Sequence, residues 1–179
     1  MKTTMKYKLT VICTLVMGMS SLMMAQDTPQ LSDPEIASVA VVANQIDVDY
    51  GQVALKRSHN KEVKDFANRM IEDHNAVIKQ AVALVTKLGV TPKDNAMSQS
   101  LMSQSKETLK KLNSVSSNDF DKTYIDNEVA YHEAVIGAVK NVLIPQAQNS
   151  ELKDLLEAVL PALEAHLGHA KMAQGKISK

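Results

Sequence analysis

Apolar residues recur every three to four positions along four long segments of the chain, which is the spacing that places them on one face of an α-helix. The first segment opens with Ser32-Asp33-Pro34-Glu35, a capping residue followed by a proline where its missing N–H is harmless. Its apolar positions are Ile36, Val39, Ala40, Ala43, Ile46, Tyr50, Val53 and Ala54. The pattern predicts a long amphipathic helix that ends near Arg57.

A second segment with the same spacing follows after a connection of only a few residues around His59. Asn60 is predicted to cap this helix and Gly89 to end it. Its apolar side consists of Val63, Phe66, Ala67, Met70, Ile71, Val77, Ile78, Ala81, Val85 and Leu88. Because the connection is so short, the first two helices are predicted to form an antiparallel hairpin.

Two further amphipathic segments occupy the C-terminal half of the chain. The third is predicted to begin at Ser116 or Ser117 and to end at Pro145. The fourth is predicted to begin near Asn149, and Pro161 within it is expected to kink the helix. The apolar sides are Phe120, Tyr124, Ile125, Val129, Val135, Ile136, Val139 and Leu143, then Leu152, Leu155, Leu156, Val159, Leu160, Leu163, Leu167 and Ala170.

The connection between the two pairs of helices, residues 91–117, is long and rich in Ser, Asn, Gln and Lys. One short amphipathic segment within it is marked by Leu101, Met102, Leu109 and Leu112. A connection of this length can cross a whole bundle, as in ferritin-like topology, whereas an up-and-down bundle needs only a few residues there. The sequence therefore predicts an all-α, ferritin-like four-helix bundle over residues 33–175, with a short extra helix in the crossover.

The first 25 residues have the pattern of a secretory signal peptide. Three lysines precede the apolar run of residues 9–24, and Ala25 is the small residue before the expected cleavage site. Residues 26–32 then form a short linker. The apolar run is shorter and more interrupted than a membrane anchor. We therefore expect a periplasmic or otherwise exported protein without a transmembrane span after cleavage, and outer-membrane association is compatible with this pattern.

Cysteine content and net charge limit how the chain is stabilised and what it binds. Cys13 is the only cysteine and lies in the predicted signal peptide, so the exported chain must be held together by packing alone. Removal of three lysines changes 20 basic and 20 acidic residues to 17 and 20, a formal charge of −3. This balance argues against nucleic acid as the main partner. It leaves open a homo-oligomer and a protein partner of unknown identity.

Three histidines lie near the middle of separate predicted helices and on their apolar sides. His74 has apolar residues one turn before and after it, and the same holds for His132 and His166. Asp47 lies at the matching place in the first helix, and Glu128 lies one turn before His132. At about 1.5 Å per residue, the mid-helix positions put these groups at similar heights in the bundle.

Two interpretations fit this set of residues. The first is a metal site for iron, zinc or copper formed by Asp47, His74, Glu128, His132 and His166, because bundle interiors build such sites from facing helices. The second is a non-enzymatic envelope stress or interaction protein whose buried histidines only satisfy neighbouring carboxylates. The second interpretation predicts His to carboxylate hydrogen bonds of about 2.7–3.0 Å.

An enzyme acting on an organic substrate is less favoured, since no recognised catalytic array is present in the sequence. The di-iron pattern of Glu followed three residues later by His is also absent, because each of the three histidines has an apolar residue at that offset.

Several short motifs resemble one family when they are taken together. They are Asp47-Val48-Asp49-Tyr50-Gly51, Val63-Lys64-Asp65-Phe66-Ala67, Met70-Ile71-Glu72-Asp73-His74, Asn118-Asp119-Phe120-Asp121, Val129-Ala130-Tyr131-His132 and Leu160-Pro161-Ala162-Leu163-Glu164-Ala165-His166-Leu167. This combination resembles the domain of unknown function 4142 family, exported bacterial proteins with a ferritin-like bundle that are often labelled predicted outer membrane proteins. The resemblance covers about residues 33–173.

The resemblance implies a bundle and an export signal, and it draws attention to the same three histidines, but the family name carries no function. Members of the family usually have Glu where this chain has Asp47 and Asp49, whose side chains reach about one methylene less far into the core. The resemblance therefore implies weaker metal binding in this chain than in its relatives, if the family binds metal through that acid.

Overall fold

The computed structural model describes residues 30–177, so the predicted signal peptide lies outside the described residues. The described part is helical, without strands. Its elements are α1 (Asp33–Arg57), α2 (Lys61–Lys87), α3 (Ala96–Ser114), α4 (Ser117–Ala138), a π-helical turn (Val139–Leu143), α5 (Ile144–Gln146) and α6 (Ser150–Ile177). This architecture confirms the predicted ferritin-like bundle. Within residues 30–177, no helix is both long and apolar enough to cross a membrane.

The helix ends follow the local chemistry of the sequence. The backbone N–H of Ser32 donates to Glu35 Oε2 at 2.9 Å, so the expected capping pair is formed at the start of α1. Asn60 caps α2, because its side chain accepts from the backbone N–H of Glu62 at 2.9 Å. Gly89 follows α2 with a φ of 64°, the left-handed conformation that ends helices and that glycine adopts without strain.

The crossover contains α3, which lies alongside α1 over most of its length. At one end, the backbone N–H of Lys93 donates to the carbonyl oxygen of Pro34 at 2.9 Å. At the other end, Arg57 Nη2 donates to the carbonyl oxygen of Val115 at 2.7 Å. Since α3 returns the chain to the end where α1 finishes, α4 runs parallel to α2. Helix α3 is 19 residues long. It is longer than its apolar positions alone indicated, because Asn95 caps its start and its outer face is polar.

The third predicted helix continues slightly past Pro145, where it was expected to end. Proline has no N–H to donate to the carbonyl four residues earlier, and its ring crowds that carbonyl. The chain adapts through the π-helical turn, in which the N–H of Ile144 donates to the carbonyl oxygen of Val139. The helical path therefore extends to Gln146.

Two groups of buried apolar side chains fill the two halves of the bundle. One includes Met70, Phe120 and Tyr124, near the end of α1. The other includes Ile36 and Leu156, near the start of α1. The buried acids and histidines Asp47, Glu128, His74, His132 and His166 lie between these two groups.

The close approach of α1 to α2 at Gly51 supports a stability prediction. A Cβ at Gly51 would lie 2.9 Å from Ile71 Cγ1 and 3.2 Å from the carbonyl oxygen of Ala67. We expect Gly51→Ala to lower the free energy of unfolding by about 1 kcal/mol, because an overpacking cost of about 1–3 kcal/mol exceeds the gain in helix propensity. Urea unfolding of the purified variant measures this change.

The matched control is Gly168→Ala in α6, where a Cβ would meet no atom of the described residues within 4 Å. This variant is expected to be more stable than the parent by about 0.5–1 kcal/mol. Equal effects of the two substitutions would contradict the inferred helix contact.

Candidate metal centre

All five residues of the predicted metal site are buried in the middle of the bundle. Asp47 comes from α1, His74 from α2, Glu128 and His132 from α4, and His166 from α6. Asp47 and Glu128 have no exposed surface, and no more than 4% of any of the three histidines is exposed. The apolar stripe of each helix carries these groups inward, as the sequence pattern indicated.

The three imidazole rings face one another around a common point. Their centroids are separated by 5.2 Å between His74 and His166, 5.5 Å between His132 and His166, and 5.7 Å between His74 and His132. Each ring offers one nitrogen, and these nitrogens lie within 4.8 Å of one another. Asp47 Oδ2 lies 3.2 Å from His74 Nε2 and 3.4 Å from His132 Nε2. Four helices thus bring three imidazoles together, with the Asp47 carboxylate beside two of them.

The hydrogen bonds of His74 determine which of its nitrogens is free. Asn44 Nδ2 donates to the carbonyl oxygen of Ala40 at 2.8 Å, so the Asn44 amide oxygen points the other way. That oxygen lies 2.7 Å from His74 Nδ1 and can only accept. Nδ1 therefore carries the proton in the neutral ring, and His74 Nε2 presents a lone pair toward Asp47.

The other two histidines follow the same rule. His132 Nδ1 lies 2.9 Å from the carbonyl oxygen of Glu128, an acceptor, so its Nε2 is left with the lone pair. His166 Nε2 lies 2.9 Å from Asp73 Oδ2, so in this ring Nδ1 is left. Metal-bound histidines commonly donate their other nitrogen to a carbonyl or a carboxylate in this way.

The nitrogens that remain are buried and have no hydrogen-bond partner among residues 30–177. They are His74 Nε2, His132 Nε2 and His166 Nδ1, and both carboxylate oxygens of Asp47 are also without one. The second interpretation, in which the histidines only satisfy neighbouring carboxylates, requires short His to carboxylate hydrogen bonds. Among these three histidines only His166 makes one, from its outer nitrogen to Asp73. Leaving several buried polar atoms unpaired is costly.

The separations around Asp47 instead match those of donors around an ion. Four ligands at about 2.0–2.1 Å from a tetrahedral metal ion lie about 3.3–3.4 Å from one another. The distances of 3.2 and 3.4 Å from Asp47 Oδ2 to the two Nε2 atoms fall at this spacing. N–H···O hydrogen bonds span about 2.7–3.2 Å, so the 3.2 Å separation lies at the upper limit of that range and the 3.4 Å separation lies beyond it.

Glu128 lies to one side of this cluster. Its Oε2 is 3.6 Å from His132 Nδ1, the nitrogen that already bonds the Glu128 carbonyl. Together with Asp47 and His132 it forms a second group of donors within 4.8 Å of one another. Burial, followed by the nearby Asp47 charge, raises the pKa of Glu128 well above its usual value. Glu128 is thus the member of the predicted set most easily held as a neutral acid.

Electrostatics keeps the cluster suited to a cation. Burial raises the pKa of Asp47, but hydrogen bonding and positive charge from the neighbouring imidazoles in their protonated form, His74 foremost, outweigh burial and lower it. Burial lowers the pKa of His132 and of His166, more than the nearby Asp47 and Asp73 raise them. A charged carboxylate among neutral imidazoles is the state in which these groups bind metal ions.

The structure also identifies supporting residues that the sequence did not single out. Asn44 orients His74, and Asp73 orients His166. Tyr131 donates its hydroxyl to the carbonyl oxygen of Ala43 at 2.8 Å and packs beside His132. Asn44 lies one turn before Asp47, a spacing that could have indicated its role, but no spacing links Asp73 to a histidine 93 residues away.

A cavity of about 770 Å³ adjoins the cluster. It is lined mainly by alanine, valine and leucine side chains, with Asp47 and the three histidines at its wall. The cavity is partly open to solvent. Water or a ligand can therefore enter it through its open sides.

Comparison with known proteins agrees with this description. A family model described as "Domain of unknown function (DUF4142)" matches residues 19–173. A search of curated proteins finds no match. Among solved structures, "CopM in the Cu(II)-bound form" is similar, with a TM-score of 0.62 and 16% sequence identity over 83% of this chain and 99% of that chain. At this identity the likeness shows the shared helical-bundle fold.

Proposed function

Because this chain belongs to the DUF4142 family, whose description states no function, we propose its role from the buried cluster: the protein binds a transition metal ion. The ligands are one oxygen of Asp47, Nε2 of His74, Nε2 of His132 and Nδ1 of His166. Glu128 is an auxiliary acid next to this set. The predicted signal peptide makes the protein an exported, periplasmic metal-binding protein.

One observation carries this proposal. Each of three buried imidazoles uses one nitrogen for an orienting hydrogen bond and leaves the other unpartnered among the described residues. The three rings lie together within donor distance of one another, and two of the free nitrogens face Asp47. A core histidine that served packing alone would satisfy both nitrogens or expose one to water. Three rings with the same arrangement are best explained by an ion that they bind together.

The chemistry of the donors narrows the choice of ion. Three imidazoles and one carboxylate suit zinc, copper or iron, whereas magnesium and calcium prefer oxygen ligands. The similar solved structure holds Cu(II), which makes Cu(II) the first ion to test and Zn(II) the second. We propose binding and retention of the ion.

The test is equilibrium dialysis of tag-free, metal-stripped protein against Cu(II) and Zn(II), with elemental mass spectrometry as the readout. We expect about one ion per chain. The double variant His74→Gln, His132→Gln removes two ligands but keeps the size and polarity of the side chains. It is expected to retain no stoichiometric metal, and circular dichroism establishes that it is folded.

A matched control is the double variant His59→Gln, His169→Gln. Both histidines are exposed and lie outside the cluster. This control should bind as much metal as the parent. A parent protein that takes up neither ion would refute the proposal, as would equal loss of metal in both double variants.

A further inference from the structure

The cavity is elongated along the bundle axis. On α1 it is lined from Ala37 to Tyr50, and on α6 from Leu152 to His166. At about 1.5 Å per residue, these spans correspond to about 15–20 Å. Ten of its lining residues are alanines, so the inward faces of the helices lack the side-chain volume that would close the space. The cavity therefore results from the small size of the alanines at positions that face inward.

The charged groups and imidazoles lie toward one end of this length, and Gln80 and Ser100 are uncharged polar residues that line the cavity further along. The end remote from the histidines is lined by Val39, Val85, Leu143 and Leu156, all largely buried. The other end carries Asp47 and the histidines, which are more than nine-tenths buried and have atoms without hydrogen-bond partners in the described chain. A ligand that fits this space has one polar end and one long apolar part.

We propose that the cavity binds a fatty-acid-like carboxylate, with its acyl chain in the apolar part and its carboxylate at the metal centre. This inference depends on the proposed metal binding. A divalent ion and its four ligands, with one charge on Asp47 and neutral imidazoles, carry a net charge of +1, which attracts an anion. The Asp73 carboxylate lies behind His166 and is 37% exposed, so solvent screens its charge. Without the ion, the Asp47 charge repels the same carboxylate.

The length of the cavity favours a chain over a compact ligand. Each methylene moved from water into an apolar site improves affinity by about fourfold. A chain that runs from the metal centre to Leu156 gains this increment repeatedly, whereas a small anion gains it hardly at all. Affinity should therefore rise steeply with chain length, which distinguishes the cavity from simple anion binding at the ion.

The test is isothermal titration of the Zn(II)-loaded full chain with dodecanoate, acetate and methyl dodecanoate. We expect one dodecanoate per chain, bound at least 100-fold more tightly than acetate, which lacks the chain. Methyl dodecanoate, which lacks the charge, should bind at least 10-fold more weakly than dodecanoate. Metal-stripped protein should also bind dodecanoate at least 10-fold more weakly.

Variants that fill the cavity separate this inference from metal binding. Ala81 on α2 lines the cavity, whereas Ala83 on the same helix is exposed and does not line it. Ala81→Phe is expected to lower dodecanoate affinity at least 10-fold and to leave Zn(II) stoichiometry unchanged. Ala83→Phe, with the same change in helix propensity, should alter neither. Ala138→Phe fills the cavity from α4 and should repeat the result of Ala81→Phe if that variant folds poorly.

The outcomes distinguish the two proposals. Failure of the parent to bind Zn(II) or Cu(II) overturns the proposed function and this inference with it. Normal metal binding combined with equal affinity for dodecanoate and acetate overturns this inference alone. Unchanged dodecanoate affinity in both cavity-filling variants does the same.

Discussion

Replacing Asp47 by asparagine is expected to lower the affinity for Cu(II) or Zn(II) by at least about 100-fold, since loss of a mere outer partner of a metal ligand costs about 10–100-fold. Asp47 is fully buried, and its Oδ2 lies within 3.4 Å of Nε2 of both His74 and His132. Asparagine keeps the size of the side chain but removes the charge that offsets the ion. Competition against a chelator of known affinity measures the change.

Asp49 provides the control for this experiment. It lies on the same helix, two residues further on, and is partly exposed, with Gln45 Nε2 donating to it at 2.9 Å. Asp49→Asn should leave metal affinity unchanged. Equal effects of the two substitutions would indicate a general electrostatic contribution of the helix and would contradict a ligand role for Asp47.

The stability of the metal-free variant must be considered in the same experiment. Because the folded-state pKa of Asp47 is lowered from its ordinary value of 3.8, the ionised carboxylate stabilises the fold above that pH. This contribution is lost as the pH falls through the lowered pKa. Asp47→Asn is therefore expected to be somewhat less stable than the parent at neutral pH, so its affinity is measured at a temperature where it is fully folded.

Adding the ion to the metal-free parent protein is expected to increase its stability substantially. A ligand that binds only the folded state at a free concentration 100 times its Kd contributes about 2.7 kcal/mol. For a domain of this size, this corresponds to an increase in Tm of about 5–10 °C. Differential scanning calorimetry with and without Zn(II) measures the shift.

His132 is the residue on which this stabilisation should depend most, because it belongs to both groups of potential donors. His132→Gln is expected to abolish the increase in Tm, and a chelator should reverse it in the parent protein. An equal increase in Tm for the parent and for His132→Gln would mean that the ion binds elsewhere.

The bundle could be predicted from the sequence because its signals are local. Helix periodicity, the capping pair of Ser32 and Glu35, and the stop at Gly89 each depend on residues only a few positions apart. The inward direction of His74 and His132 was predictable for the same reason, since a residue between apolar neighbours one turn away faces the core. Local spacing therefore determines both the helices and the faces that they bury.

The details of the site could not be predicted, because they depend on contacts between distant parts of the chain. The bond from Asp73 to His166 joins residues 93 positions apart. Under the second interpretation each histidine would pair with a neighbouring carboxylate, whereas His132 Nδ1 bonds the Glu128 backbone carbonyl and its Nε2 faces Asp47. The cavity could not be predicted either, since an alanine that lines a cavity and an alanine in a close helix contact look alike in sequence.

The buried cluster joins two halves of the bundle that the chain connects only through α3. Asp47 and His74 belong to the first helical hairpin and His132 and His166 to the second, and α3 with its short links is what connects the two halves. An ion bound by all four side chains would therefore link the two hairpins directly. Without the ion, the interface between the two hairpins borders a cavity. We therefore expect local opening to occur at this interface while each hairpin stays intact.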